Sequence, residues 1–267
     1  MRMYYGPFPE YPKIQGVYKR DEKGQFIIAD WSTEELSYLK DNLFHWTEKI
    51  DGTNIRIGID PCLEEVATGV PEPYEEPHIR IGGRTERAQL PTPLIAELQR
   101  LFSPDLYDAI QHTLTGPVVL YGEGYGAGIQ KGGELYGDSQ RFILFDVWVP
   151  RNSFTDSGTW LSREDVRGIA AGLNLDVVPD ARLSDPAFYR EHRSDYEGGP
   201  VATLQSAIAE VRYRHVRSSY SDTIPPEGLV GRPIVPLFDR RGRRIIAKVK
   251  DCDFKFDRDK PSYGGYL

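Results

Sequence analysis

Two cysteines in 267 residues, Cys62 and Cys252, are too few for a disulfide scaffold, and their separation lacks the spacing of a metal-ligand pair. Both are expected to remain reduced. Five scattered histidines suggest no zinc site either. No apolar run approaches the length of a bilayer span, and Met1-Arg2-Met3-Tyr4-Tyr5-Gly6 lacks the apolar stretch of a secretory signal, so the expected location is cytoplasmic. Internal repeats and low-complexity runs are missing. An excess of basic residues is also absent: the net charge is −7, which weighs against a nucleic-acid partner, since phosphate contacts come from lysine and arginine. The distribution softens that objection. Acid gathers in Glu72 to Glu76, whereas Arg240, Arg241, Arg243, Arg244, Lys248 and Lys250 make one region basic, and Arg212, Arg214, His215 and Arg217 form a second cluster. Either cluster can track a phosphate backbone; a solvated charged face is the alternative, especially for the second.

What is present is enough for a core. With 39% hydrophobic and 12% aromatic residues, the span 1–267 reads as a single compact domain, and the short tail 251–267 is too small to make a separate C-terminal domain. Ser32-Thr33-Glu34-Glu35 has the capping-box pattern before a helix expected through about Asn42. Thr92-Pro93 and Ser103-Pro104 each place a capping residue before proline. Ser162 to Asp165 opens a helix that Gly172 can close, and Thr203 to Arg214 reads as helical. Residues 1–30 read as irregular or short strands. Pro71 to Pro77 is expected to be a loop.

The most informative residues are Lys49-Ile50-Asp51-Gly52-Thr53-Asn54. They place a lysine, a carboxylate and a glycine on a tight turn between two strand-like runs, the second of which alternates Ile55, Ile57 and Ile59 with Arg56 and Gly58. A lysine attacks a phosphate only as the free amine, so its pKa must fall from about 10.4 toward roughly 7 to 8, by partial burial or nearby positive charge. Gly52 permits positive φ or close backbone approach, Asn54 can donate to a hydroxyl or phosphate oxygen, and Asp51 can brace the turn. The competing reading is a plain hairpin turn, for which Asp-Gly is a common dipeptide.

Further runs follow in order. Tyr121-Gly122-Glu123-Gly124-Tyr125-Gly126 comes after the apolar Val118-Val119-Leu120; then come Phe142 to Val147, Glu227-Gly228-Leu229-Val230, and Ile245 to Lys250. Each has its bland alternative: a glycine-rich turn that binds nothing, Phe145 as core, Lys248 and Lys250 as a solvated strand face. As an ordered set, from Glu48 to Lys250, they resemble the five motifs of the covalent nucleotidyltransferase superfamily of DNA ligases, RNA ligases and mRNA capping enzymes. The Gly-Thr-Asn ending at Asn54, where DNA ligases and capping enzymes usually carry arginine, makes the chain most similar to ATP-dependent RNA ligases of the RNA-ligase-2 type. Asp51 departs from some of those ligases, which have histidine there.

That resemblance implies an α+β adenylyltransferase domain, an ATP-grasp-like nucleotidyltransferase fold of two antiparallel-rich sheets with flanking helices around a nucleotide cleft. It implies that Lys49 attacks the α-phosphate of ATP to form lysyl-AMP. Glu48 would read the adenine amino edge, Glu123 would accept from the ribose hydroxyls, and Phe145 would stack on the base. Asn54 and Arg84, the latter chosen over Arg80, would complete the nucleotide contacts. Glu227 would hold Mg²⁺, with Mn²⁺ as a substitute, while Lys248 and Lys250, on one face of one strand, would meet the phosphate charge. The implied substrate is RNA with 3′-hydroxyl and 5′-phosphate ends, as in a nicked duplex, with RNA repair as the setting and an accessory protein as a further expected partner. A small DNA ligase, a capping-type guanylyltransferase and a non-catalytic nucleotide- or RNA-binding protein are the alternatives.

Overall fold

The computed structural model describes residues 9–65, 71–73, 76–151, 157–183, 199–221 and 225–258. By internal contact the chain divides into two compact units within the span read above as one domain: Met1–Pro12 with Asp51–Val178, and Lys13–Ile50 with Pro179–Leu267. The polypeptide passes from one unit to the other inside the Lys49–Asn54 turn.

In the second of these units a small antiparallel pair, β1 (Tyr18–Arg20) and β2 (Phe26–Trp31), precedes β3 (Leu43–Lys49). In the other unit, β4 (Thr53–Asp60) is followed by the short backbone pair β5 (Leu63–Glu65) and β6 (Pro71–Pro73), then β7 (His78–Gly83), β8 (Val118–Tyr125), β9 (Arg141–Pro150) and β10 (Gly158–Trp160). The chain then returns to build β11 (Val201–Thr203), β12 (Gly228–Pro233) and β13 (Ala247–Lys250). The main sheets are five-stranded, β10-β9-β8-β4-β7, and four-stranded, β11-β3-β12-β13, with every named strand pairing antiparallel. This is the antiparallel-rich α+β arrangement expected from the sequence.

Alternation explains both cores. Ile55, Ile57 and Ile59 on β4 are fully buried against Leu94 and Leu98 of helix Thr92–Leu101 and Leu120 and Leu144 of the adjoining strands. The four-stranded sheet buries Phe44, Trp46, Leu229 and Val249 against Leu204 and Ile208 of helix Leu204–Arg212. Local caps behave as read where a hydroxyl is free to accept: Thr33, Ser162 and Thr203 accept from the amides of Leu36, Asp165 and Ser206. The first helix ends at Tyr38, short of Asn42. Helix Thr92–Leu101 starts from Pro91 with no side-chain cap, and Ser103 precedes a 3-10 turn without capping it. Pro71–Pro73, expected as loop, pairs with Leu63–Glu65, an edge position where a missing N–H is tolerated. Residues 259–267 of the expected tail lie outside the described residues; Asp251–Phe254 and Lys255–Arg258 form a 3-10 turn and a helical turn.

Candidate active site

The Lys49–Asn54 turn is not a hairpin. Its flanking strands, β3 and β4, belong to different sheets, so the common reading of Asp-Gly does not apply. Gly52 is required by close approach: a Cβ there would lie 2.2 Å from the Gly124 carbonyl oxygen. The amide of Asp51 donates to the Tyr136 hydroxyl at 3.2 Å, and Gln130 Nε2 donates to the Gly52 carbonyl at 3.0 Å. Neither Tyr136 nor Gln130 was legible as part of the turn from local sequence.

In the unit that carries β3, Lys49 is the last residue of its strand, where it pairs with Gly228, and Gly228 pairs on its other side with Lys250. Two lysines therefore flank the strand that begins directly after Glu227. Both oxygens of Glu227 are engaged: Oε2 accepts from Lys49 Nζ, and Oε1 lies 2.5 Å from Lys250 Nζ. Lys248 sits two residues back on the same face of β13. Burial, reinforced by the charges of Lys250 and Lys49, holds the Lys248 amine below its ordinary pKa. Lys250 goes the other way: burial works to lower it, but the hydrogen bond and charge of Glu227 outweigh that effect. Lys49 and Lys250 thus share the Glu227 carboxylate, and Lys248 lies within reach of the charges of Asp253 and Glu227. The surplus of positive charge suits an anion of the size of a phosphate.

A divalent cation fits this cluster only on stated terms. Glu227 offers a single carboxylate already held by two lysines, and among the described residues no group of three or more His, Cys, Asp or Glu is placed to hold a metal ion. A hard cation here would be held by Glu227 together with oxygens that its ligand brings, and Glu227 would have to exchange a lysine partner for it.

Glu48 has two protein partners. It alternates to the face of β3 opposite Lys49 and is buried, with Oε1 accepting from the Ser218 hydroxyl at 2.6 Å and Oε2 from the Ser219 amide at 2.8 Å. A carboxylate so engaged braces the 218–220 segment, 170 residues away in the chain.

The other expected residues lie in the unit that carries β4. Asn54 on β4 stands opposite Glu123 on β8, and Glu123 opposite Ile143 on β9, forming a row on the face away from Ile55 and Ile57. Asn54 Oδ1 is buried without a hydrogen-bond partner, an orphaned acceptor that a ligand hydroxyl would satisfy. Phe145 has no partner residue across β8, because a bulge shifts the register between Tyr121 and Gly122; its half-buried ring meets Tyr11 edge-on at 4.9 Å. Glycines 122 and 124 have a packing role. Their missing Cβ atoms make room for Phe142 and Leu94 on the core side. The run from Val118 to Tyr125 is one continuous strand, so the alternative of a glycine-rich turn is excluded.

Arg84 lies one residue beyond Gly83, which pairs with Ile55, and its side chain is exposed with no ion-pair partner among the described residues. Arg80 is instead held by Glu86 at 2.5 Å. Arg56, fully buried, donates from Nε to the Gly83 carbonyl at 2.6 Å and from Nη2 to Glu86 at 3.1 Å, fixing the turn that presents Arg84. Its alternation with the β4 isoleucines carried no hint of that role.

The family model for RNA ligase matches residues 43–250, from the first residue of β3 to the last of β13. The chain belongs to the RNA ligase family. Its fold is also that of Naegleria gruberi RNA ligase. A mutant of that protein with AMP and Mn gives a TM-score of 0.51 at 17% identity, covering 94% of this chain and 60% of that one. A mutant with ATP and Mn gives 0.51 at 17%, over 90% and 57%. The form with PPi gives 0.51 at 16%, over 94% and 64%. The chain therefore spans about three fifths of the length of these ligases. No curated protein is similar enough to count as a match. For this family member, the matched span contains every residue singled out above, from Glu48 to Lys250.

Proposed function

We propose that the protein is an ATP-dependent RNA ligase that joins 3′-hydroxyl and 5′-phosphate ends through lysyl-AMP and RNA-adenylate intermediates. The observation that carries this reading is the cluster of Lys49, Lys248 and Lys250 around Glu227, at adjoining positions of three paired strands. In the first step the Lys49 amine attacks the α-phosphorus, an Nζ–P bond forms, the bond to the β-phosphate bridging oxygen breaks, and pyrophosphate leaves. Lys49 is paired with a carboxylate, so it must part from Glu227 and lose a proton before attack. Lys248 and Lys250 meet the charge that develops on the phosphate. A Mg²⁺ or Mn²⁺ ion, when bound, would neutralise phosphate charge, with Glu227 as its protein ligand. Glu123 and Asn54 take the ribose, Arg84 takes a phosphate oxygen, and Phe145 offers a flat apolar face to the base. Glu48 acts through Ser218 and Ser219, which it positions.

Substrate choice rests on Asn54 and the family. A 2′-hydroxyl gives a site both a donor and an acceptor that DNA lacks. Nicks whose last two 3′-side nucleotides are ribose should therefore seal faster than matched deoxyribose nicks, and most readily in a duplex, which holds the two ends together. Equal or faster sealing of the all-DNA nick would assign the protein to DNA joining. Stronger covalent labelling by GTP than by ATP would favour the capping reaction.

Asn54 gives a second prediction. Replacing it by leucine removes an orphaned buried acceptor, so without nucleotide Asn54→Leu should be more stable than wild type by about 1 kcal/mol and unfold at a higher temperature. Added ATP should stabilise wild type by mass action and the variant much less. Thermal unfolding with and without ATP measures both; equal ATP-induced shifts would remove Asn54 from the nucleotide site.

A further inference from the structure

Between β12 and β13 the chain makes an excursion, residues 234–246, that the reaction does not use. It is an ordered arm. Phe238 and Arg244 form an antiparallel bridge, the Ile245 amide donates to the Leu237 carbonyl at 2.9 Å, and both Leu237 and Ile245 pack against the core of their unit. Asp239 builds the tip: its Oδ1 accepts from the amides of Arg241 and Arg243 at 2.8 and 2.9 Å, and its Oδ2 accepts from Arg243 Nε at 2.7 Å. Gly242, at φ +73°, closes the turn.

The charge left over is on the outside. The arm has four arginines, at 240, 241, 243 and 244, against one aspartate, whose carboxylate is consumed by the turn. Arg240 and Arg241 are exposed, and among the described residues neither guanidinium has an ion-pair partner. Beside them Ile234, Val235 and Phe238 are 54%, 64% and 58% exposed, an apolar flank on a chain that is otherwise acidic. The second basic cluster of the sequence differs. Arg212 pairs with Asp257 at 2.7 Å and Arg214 with Asp251 at 3.0 Å, tying helix Leu204–Arg212 to the 251–258 segment. Those arginines are structural.

We infer that the 234–246 arm is an RNA-docking element in which Arg240 and Arg241 contact phosphates of the substrate away from the ends being joined. This rests on the ligase reading above. Arg241 is nine residues from Lys250 along the chain, so the contacted phosphates lie within about 30 Å of the lysine cluster. The turn is held by backbone amides and Arg243, without the side chains of Arg240 or Arg241, so both can be changed with the fold intact.

The test is an Arg240→Gln/Arg241→Gln double variant of the full chain, probed with a fluorescent RNA duplex carrying one nick, titrated at several salt concentrations. The variant should bind roughly ten- to hundredfold more weakly at low salt, and the slope of log K against log salt should fall by about two. The Arg240→Lys/Arg241→Lys variant should keep most of both. Covalent labelling by ATP, which needs no RNA, should be unchanged in either variant. Unchanged affinity and slope in the glutamine variant, or no RNA binding by wild type, would overturn the proposal, and the exposed flank would then be assigned to a protein partner. Failure of wild type to label with ATP would instead sink the ligase reading; a reduced salt slope in the variant would still support the arm.

Discussion

Lys49→Ala is expected to abolish the covalent AMP adduct while leaving the protein folded. Wild type with ATP and Mg²⁺ should give an acid-labile, base-stable phosphoramidate that mass spectrometry maps to Lys49. The fold should survive because the deletion leaves Glu227 paired with Lys250 and lowers the local excess of positive charge. The mapping matters as much as the loss. Lys248 is a rival in the same cluster, and its amine is the one that burial and neighbouring charges push toward the neutral form. An adduct on Lys248, or one that persists unchanged in Lys49→Ala, would assign the nucleophile elsewhere. Lys49 is preferred because it ends its strand beside Glu227, at a turn whose close approach to Gly124 permits only glycine at position 52.

What was legible in the sequence is what depends on near neighbours. The isoleucines of β4, the side-chain caps at Thr33, Ser162 and Thr203, and the strands bearing Glu123 and Lys248 follow from periodicity and local hydrogen bonding. What was not legible depends on which strands meet. The Asp51-Gly52 dipeptide carries no sign that β3 and β4 enter different sheets. Glu48 and Lys49 are adjacent in sequence, yet their faces differ, and the partner that engages Glu48 is Ser218, far along the chain. Glycines 122 and 124 carry no local sign that they accommodate Phe142 and Leu94. The bulge that leaves Phe145 unpaired is a mismatch between two strands and belongs to neither alone. Arg212 and Arg214 likewise became structural only when Asp257 and Asp251 reached them.

Opposite effects on stability should separate the members of the lysine cluster while each loss impairs the reaction. Lys248→Met and Glu227→Gln should each slow adenylylation by roughly 10² to 10³-fold, as loss of a preorganised electrostatic group does. Lys248→Met should nevertheless unfold at a slightly higher temperature than wild type near neutral pH, by about 1 to 3 °C after allowing for its partial exposure to solvent. The sign follows from linkage. A lysine whose folded pKa lies below the unfolded value of 10.5 binds its proton less tightly when folded, so it costs stability fully below the folded pKa. That cost fades as pH rises from the folded value to 10.5, and the gap in melting temperature between Lys248→Met and wild type should close over the same window. Glu227→Gln should do the reverse. It leaves Lys49 and Lys250 without their carboxylate, so the variant should melt below wild type, and raising the pH should recover part of the loss as Lys250 discharges. Exposed charges on a solvated strand face would show neither response. Melting curves from pH 7 to 10.5, read beside adenylylation rates, decide the matter: flat differences in melting temperature with near-normal rates would remove Lys248 and Glu227 from the site.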